Sequence, residues 1–442
     1  MDKKAGNNSF SARDLIRRFT NYGGIDIWFL VIVLVLLCIG LVMMFSASYP
    51  YALTMYGKST YFIGKQAFFA VIGVVAMLFF SGIKTELWKK LTFLICLGST
   101  FLLLIVFVLP QYRAGFYRWI NLGFTTFQPS ELAKFAVIVA GAYLYSKYNK
   151  KMSSTRPVKT GLGAKVNRKI GAGIVRESWV PTWMFCAFFG MSAILVFLEN
   201  HLSGCILIFS IGVAMMFIGG VRARWFVAGV VAVLCVALIV CVPIYSAIQE
   251  KNEKLESGEI SVSEADEYVE EHASSGILKG YMVERIVGWL DKGYDPQGVR
   301  WQTNQALYAI GSGGFFGRGI GNSTQKYMYV SEPQNDMIFS IVCEELGFVG
   351  AALIIILFAL LVYRGIVIGL NAKTRYGAFL AMGLVLQVGL QVMLNIGVAS
   401  DSIPNTGISL PFFSYGGTSL VVLLSEMGIV LAVSRESRVN KK

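Results

Sequence analysis

A small set of charged residues in an otherwise apolar chain carries the chemistry. Glu131 and Lys134 open one hydrophobic run, and Asp336, Glu344 and Glu345 stand at the start of another. The segments between runs add Arg113, Arg118 and Trp119 in RAGFYRWINLG, and Arg285 further on. Ionisable groups at membrane depth are costly, which makes them functional-site candidates by default. Cations beside carboxylates at a lipid interface suit a ligand with a lipid tail and an anionic, phosphate-like head. Arginine grips phosphate bidentately and lysine acts as a point charge.

Each group also has a plainer reading. Asp336 directly precedes an apolar helix and could cap it. Glu131 and Lys134 stand three apart and could simply pair. Trp119 could be an interfacial anchor rather than a ligand contact. In SEPQNDMIFSIVCEELG (residues 331–347), Glu344 and Glu345 fall about 12–14 Å beyond Asp336 along a helix. They lie at ~80° and ~180° around its axis. At most one shares the face of Asp336, so Glu344 and Glu345 read as intramembrane structural groups paired with other helices.

The elements that position these residues are membrane helices. Of the 442 residues, 55% are hydrophobic and 15% charged, whereas a soluble chain carries about 25% charged residues. Hydrophobic runs long enough to cross ~30 Å of hydrocarbon recur throughout. The expected fold is an all-α polytopic membrane protein with ten spans: 26–48, 65–82, 88–109, 130–147, 179–198, 202–219, 224–247, 337–363, 376–400 and 410–433. They make one transmembrane domain, 26–433, between tails 1–25 and 434–442. The polar 25-residue start reads as preceding a retained span, not as a signal peptide. Lys and Arg concentrate before the first span, between 147 and 176, at Arg222, Arg224 and Arg364, and after Arg435. The positive-inside rule therefore puts both termini in the cytoplasm.

The net charge of +13 is then largely a cytoplasmic face meeting anionic lipid. Basic residues pinned in short membrane loops exclude nucleic acid as a partner. All seven cysteines fall in expected spans, which excludes a disulfide framework, and two histidines make zinc chemistry improbable. Residues 148–178 read as a basic, flexible cytoplasmic linker facing lipid. Residues 248–336 form a large outer loop between the seventh and eighth spans. Its first part, EKNEKLESGEISVSEADEYVEEH, reads as a solvated acidic arm with a short helix after a Ser261–Glu264 capping box. Its second part, rich in Gly, Trp, Tyr and Arg, is expected to fold back on the outer membrane surface.

Three motifs add a resemblance. YDPQGVRWQTNQALYAIGSGGFFGRGIGNSTQKYMYVSEPQNDMIFSIVCEELGFVG (294–350) resembles the long outer loop and following helix of the SEDS family, which comprises FtsW, RodA and SpoVE. The family pattern RWI-(N/D)-LG…QP-(S/A)-EL-K matches Arg118–Gly123 and Gln128–Lys134, and LP-x-x-SYGG-(S/T)-S matches Leu410–Ser419. The form GIGNSTQK (Gly319–Lys326) is closer to the FtsW/SpoVE branch.

The resemblance implies a peptidoglycan glycosyltransferase in the bacterial cytoplasmic membrane, polymerising lipid II at the outer face in division or sporulation. The family's essential acidic residue falls on Asp336, as general base of an inverting displacement of polyprenyl diphosphate, with a pKa raised by partial burial. Arg118, Trp119, Lys134, Arg285, Gln302, Gln305 and Glu332 are then the candidates for substrate contacts. A divalent cation, Mg or Mn, could assist at the diphosphate. Expected partners are lipid II, a class B penicillin-binding protein against the eighth and ninth spans or outer loop, and other divisome or sporulation membrane proteins. The chain departs from the family where (L/V)PE reads Val330–Ser331–Glu332, where QPDLGT becomes LENHLSG with His201 replacing an Asp, and at Thr406, where Lys is common. A lipid II flippase is the main alternative, disfavoured because the inner halves of the spans read as nearly free of charge. A division scaffold would leave the Asp336 cluster unexplained.

Overall fold

Long, uniformly apolar runs become long helices, because backbone groups in hydrocarbon must pair within their own segment. The computed structural model describes residues 24–109, 118–123, 125–152, 179–261, 268–269, 281–295 and 297–437. Among the described residues the helices are α1 (Ile27–Tyr56), α2 (Tyr61–Ser81), α3 (Thr85–Ile105), α4 (Pro129–Met152), α5 (Trp179–Leu198) and α6 (Leu202–Ile218). They continue with α7 (Ala223–Glu256), α8 (Tyr281–Leu290), α9 (Trp301–Gly313), α10 (Ile338–Leu370), α11 (Arg375–Ala399) and α12 (Gly417–Glu436). A two-stranded antiparallel ribbon, Ile120–Asn121 with Thr126–Phe127, precedes α4.

Seven of these helices (α1, α2, α3, α5, α10, α11 and α12) are long and apolar enough to cross a membrane, and α6 is apolar but shorter. The helix ends correct the sequence reading in several places. α1 runs on to Tyr56 and stops where Gly57 takes a left-handed conformation and returns its N–H to Leu53. α7 continues to Glu256, into the expected outer loop, because QEKNEKLE is made of good helix formers. α12 starts only at Gly417, since LPFFSYGG, with its proline and paired glycines, forms a turn rather than helix. Arg113, the Ser261–Glu264 box from residue 262 on, residues 262–267 and 270–272 of the acidic arm, and the basic linker from 153 to 178 lie outside the described residues.

The core sits between α12 and α2, between α10 and α11, and around α4, which meets α3, α5, α6 and α11. At the end away from Asp336, Asp26 caps α1 through Phe29 N–H (3.0 Å) and takes a forked bond from Arg364 of α10 (2.8–3.1 Å). At the Asp336 end, α8 packs Val283 and Val287 on Val240 and Ile244 of α7 as a small second core.

α10 is broken near its start, and the break builds the site. Gly347 has φ 67° and ψ −170°, a backbone region open essentially only to glycine. The groups freed by the break pair with the loop after α9. Arg318 and Gly319 N–H donate to the carbonyls of Glu344 and Glu345 (2.9 Å each), while Phe348 and Val349 N–H donate to Gly314 and Phe315 (3.0 and 3.1 Å). A Cβ on Gly347 would stand 2.2 Å from the Gly317 nitrogen. Gly347→Ala should therefore cost at least about 1–3 kcal/mol and loosen the loop leading to Asp336. Thermal unfolding of the purified protein checks this, and a wild-type midpoint would count against it.

Candidate functional site

Asp336 lies in the turn ahead of α10, one residue before the Met337 N-cap, and that cap has no side-chain bond. The helical-wheel argument therefore applies to Glu344 and Glu345 but not to Asp336. Its side chain is half-buried and held from several elements. Gln302 Nε2 of α9 stands 3.4 Å from Oδ1 and also donates to the Ser331 carbonyl at 3.3 Å. Gly407, with φ 73°, lets the α11–α12 loop pass close by, since a Cβ there would be 3.5 Å from Oδ2. Asn395 Nδ2 of α11 donates to the carbonyls of Asp336 and Ile408 (2.7 Å each). Ser414 Oγ donates to the Asn335 carbonyl at 2.7 Å, and Tyr415 N–H to Gln334 at 2.8 Å. The backbone is thus tightly fixed, while the Gln302 contact to the carboxylate is long.

Beside Gln302 opens a cavity of about 300 Å³, walled by Arg285, Trp289, Arg300, Gln302, Asp401 and Asn405 among others. Asp401 is its anchor. It receives Arg300 at 3.1 Å and Lys292 at 2.6 Å, and its carbonyl receives Trp289 Nε1 at 3.1 Å, tying α8 and α9 to the loop after α11. Arg285 donates to the Asn405 carbonyl, and Asn405 Nδ2 reaches Gln302 Oε1 at 3.4 Å. Burial pushes the Asp336 carboxyl above the ordinary carboxylate range, with the Arg285 charge opposing and Glu332 adding a smaller upward push. Glu332 itself has a left-handed backbone (φ 46°) and accepts from Asn335 Nδ2 at 2.6 Å. Gln305 is buried on α9 and does not line this cavity.

A second group gathers around the start of α4. Lys134 pairs with Glu131 at 2.8 Å, and the lysine is only 3% exposed, so the pair is interior rather than a surface contact. Arg118 donates to the Asn200 carbonyl in the α5–α6 turn and lies 5.9 Å from the Trp119 ring centroid. Next to it, Glu199 is fully buried with neither carboxylate oxygen hydrogen-bonded. Burial, only partly offset by Arg118, pushes this carboxyl up to about 8. Burial, with Arg118 and Lys134, holds His201 down at about 3, so it is a neutral ring contacting Gln128 Nε2 at 3.3 Å. The family's Asp is thus replaced here by an uncharged group, with a carboxyl two residues earlier.

Glu344 and Glu345 form a third, separate group. Glu344 accepts from Ser323 Oγ, from Thr324 N–H (2.9 Å) and Gln325 N–H (3.3 Å), and pairs with Arg318 at 3.2 Å. Glu345 pairs with Lys326 at 2.8 Å and accepts from Ser46 Oγ of α1 at 2.7 Å.

Several contributors escaped the sequence reading. Asn395 and Lys326 look unremarkable until the partners of each are known. Glu426 is different, because it sits alone inside the apolar run SLVVLLSEMGIVLAV and is 2% exposed. The rule that marked Asp336 would have found it.

Residues 27–439 match the model of the FtsW/RodA/SpoVE family, described as "Cell cycle protein". The chain is 35% identical to Stage V sporulation protein E of Bacillus subtilis (strain 168), over 93% of this chain and 98% of that one. It is 31% identical to a probable peptidoglycan glycosyltransferase FtsW of Geobacter sp. (strain M18), over 94% and 98%. Its fold is similar to that of a chain whose structure is described as "Structural coordination of polymerization and crosslinking by a peptidoglycan synthase complex", with a TM-score of 0.66 at 22% identity, covering 94% and 98%.

Proposed function

The chain belongs to the FtsW/RodA/SpoVE family of cell cycle proteins, and from that premise we propose that it is a peptidoglycan glycosyltransferase polymerising lipid II, with Asp336 as general base. The observation that carries the residue assignment is the half-buried, backbone-locked Asp336 carboxylate, 3.4 Å from Gln302, which with Arg285 lines a cavity of about 300 Å³. In the reaction the 4-OH of one disaccharide attacks the anomeric carbon of another. Its proton passes to the Asp336 carboxylate as the new C–O bond forms and the bond to polyprenyl diphosphate breaks. Passing from an α-linked diphosphate to a β-1,4 glycan is one inverting displacement, without a covalent enzyme intermediate.

Arg285 faces this cavity and is placed to meet charge on the diphosphate. Arg118 and Lys134 belong to the neighbouring group, which suits them to a second phosphate contact. Among the described residues no three His, Cys, Asp or Glu side chains form a metal-ligand group, so no step here is routed through a divalent cation. The ten-span topology with both termini inside and the Asp336 end outside rests on the basic residues flanking the helices. The similarity to a chain of a peptidoglycan synthase complex supports a class B penicillin-binding protein as partner, on α10, α11 or the outer loop.

Purified full-length protein, with and without such a partner, should convert fluorescently labelled lipid II into a ladder of glycan chains that a muramidase degrades. No polymer under either condition would overturn the enzymatic reading. Movement of labelled lipid II across a liposome membrane without polymer would favour the flippase instead.

A further inference from the structure

Two polar belts tie α1 to α10, and their separation sets a scale. At one end Arg364 of α10 grips Asp26, the N-cap of α1, at 2.8 Å. At the other end Glu345 of α10 accepts from Ser46 of α1 at 2.7 Å and pairs with Lys326 at 2.8 Å. The helix from Asp26 to Ser46, and that from Glu345 to Arg364, each span about 30 Å at ~1.5 Å per residue. Between the belts both helices are apolar, IWFLVIVLVLLCIGLVMMF on α1 and LGFVGAALIIILFALLVY on α10. That separation matches the ~30 Å of bilayer hydrocarbon. The belt of Ser46, Glu345 and Lys326 therefore lies at the hydrocarbon edge on the Asp336 side.

The loop after α9 crosses that edge. α9 runs from Gln302 at the cavity to Gly313, which lies against the Cys343 carbonyl of α10. The chain then turns through Gly314 and Gly317, with φ of 56° and 80°, and returns to the belt at Ser323 and Lys326. At the tip the Gly314 and Phe315 carbonyls accept from Phe348 and Val349 N–H. Val349 lies one helical turn beyond Glu345, so the tip reaches about 6 Å past the belt.

Side chains and backbone at the tip face opposite ways. Phe315, Phe316, Ile320 and Phe348 are 61%, 80%, 60% and 63% exposed. The Phe315 ring lies 5.7 Å from that of Phe348 and 5.1 Å from that of Phe316, so the three rings make one apolar surface. The backbone turns inward instead. Gly317 N–H donates to Gly313, and Arg318 and Gly319 N–H donate to Glu344 and Glu345. Irregular chain is tolerated at membrane depth where protein takes up its polar groups. Arg318, 41% exposed as a side chain and paired with Glu344 at 3.2 Å, stands at the neck of the tip, level with lipid headgroups. An apolar tip beneath a cation, inserted by less than about 10 Å, is the arrangement of an interfacial membrane anchor.

We propose that residues 314–320 are such an anchor, seating Phe315 and Phe316, with Phe348 beside them, in the phospholipid leaflet on the Asp336 side. The rest of the loop stands clear of the lipid. Ile338, where α10 begins, is about 10 Å outward from the belt, beyond a headgroup layer of about 5–8 Å. The anchor thereby holds the Asp336 cavity just above the headgroups. The inference rests on α1 and α10 crossing the membrane, not on the reaction the protein performs.

The test uses the full chain in nanodiscs of phosphatidylglycerol and phosphatidylethanolamine. Irradiation of Phe316→p-benzoylphenylalanine should give the peptide carrying residue 316 the added mass of a lipid. The same replacement at Gln297, exposed beside the cavity and ahead of α9, should give none. Phe316→Trp is an independent probe. Its fluorescence above that of wild type should be quenched more by lipids brominated near the headgroup than by lipids brominated at the chain end. No lipid adduct at residue 316, or equal adducts at 316 and 297, overturns the proposal. Added fluorescence that neither brominated lipid quenches overturns it too. So does irradiation in intact cells that joins residue 316 to another polypeptide instead of lipid, which would assign the surface to a protein partner.

Discussion

Asp336→Asn is expected to lower lipid II polymerisation by at least about 10²-fold while leaving the protein folded. The substitution is nearly isosteric, and an amide oxygen can still accept from Gln302 Nε2 at 3.4 Å. The contacts that fix this turn come through main-chain carbonyls, from Asn395, Ser414 and Tyr415 to Asp336, Asn335 and Gln334, so they survive the change. What is lost is the ability to take a proton from the attacking hydroxyl. The pH dependence follows from the raised carboxyl pKa. As a base the group works only when ionised, so wild-type polymerisation should climb as pH rises through that elevated value. The stability sign is opposite. A carboxyl whose folded pKa lies above its unfolded value stabilises most at low pH, and that contribution is lost as pH rises through the folded pKa. At neutral pH the variant should therefore unfold at the wild-type temperature or slightly above it. Gel-resolved glycan ladders over a pH series, with unfolding midpoints alongside, check both halves. Full polymerisation by Asp336→Asn would remove this residue from the chemistry.

Much of this arrangement was legible in the residues, but unevenly. Apolar runs announce helices because hydrocarbon leaves the backbone no other partner. Helix ends are less visible, because nothing in QEKNEKLE marks the place where α7 leaves the bilayer. Asp336 stood out first as a carboxylate at the head of an apolar run and then through its motif. Its surroundings did not, because Gln302 is 34 residues away and Asn395 is 59, and no local pattern links such positions. Glu426 was visible as a lone charge in an apolar run, but its partner Gln387 is 39 residues distant on another helix. The break in α10 was invisible for a related reason. Gly347 could have been one more small residue in a membrane helix until the loop at 313–319 was seen to pair with the groups it frees.

The second large effect is expected at Lys326, and it explains why GIGNSTQK belongs with the helix that follows it. Lys326 and Glu345 are 1% and 0% exposed as side chains and 2.8 Å apart, with Ser46 of α1 bonded to both, at 3.2 Å to the lysine and 2.7 Å to the carboxylate. Ser323 of the same motif reaches Glu344, so one eight-residue stretch satisfies both carboxylates. Lys326→Met would leave the Glu345 charge buried with only a hydroxyl for company, at a cost of about 3–5 kcal/mol. Lys326→Met combined with Glu345→Gln should recover much of that loss, because the uncompensated charge is gone. The double-mutant cycle, measured by unfolding in detergent, therefore distinguishes a charge lock from lost packing. A Lys326→Met midpoint within error of wild type, or a double variant no more stable than the single one, would show that the pair is not the lock. Activity gives an independent reading, since the loop that Lys326 pins runs ten residues later into Asp336. If the lock is what holds that loop, the single variant should lose polymerisation at temperatures where it is still folded, and the double variant should regain it in step with stability.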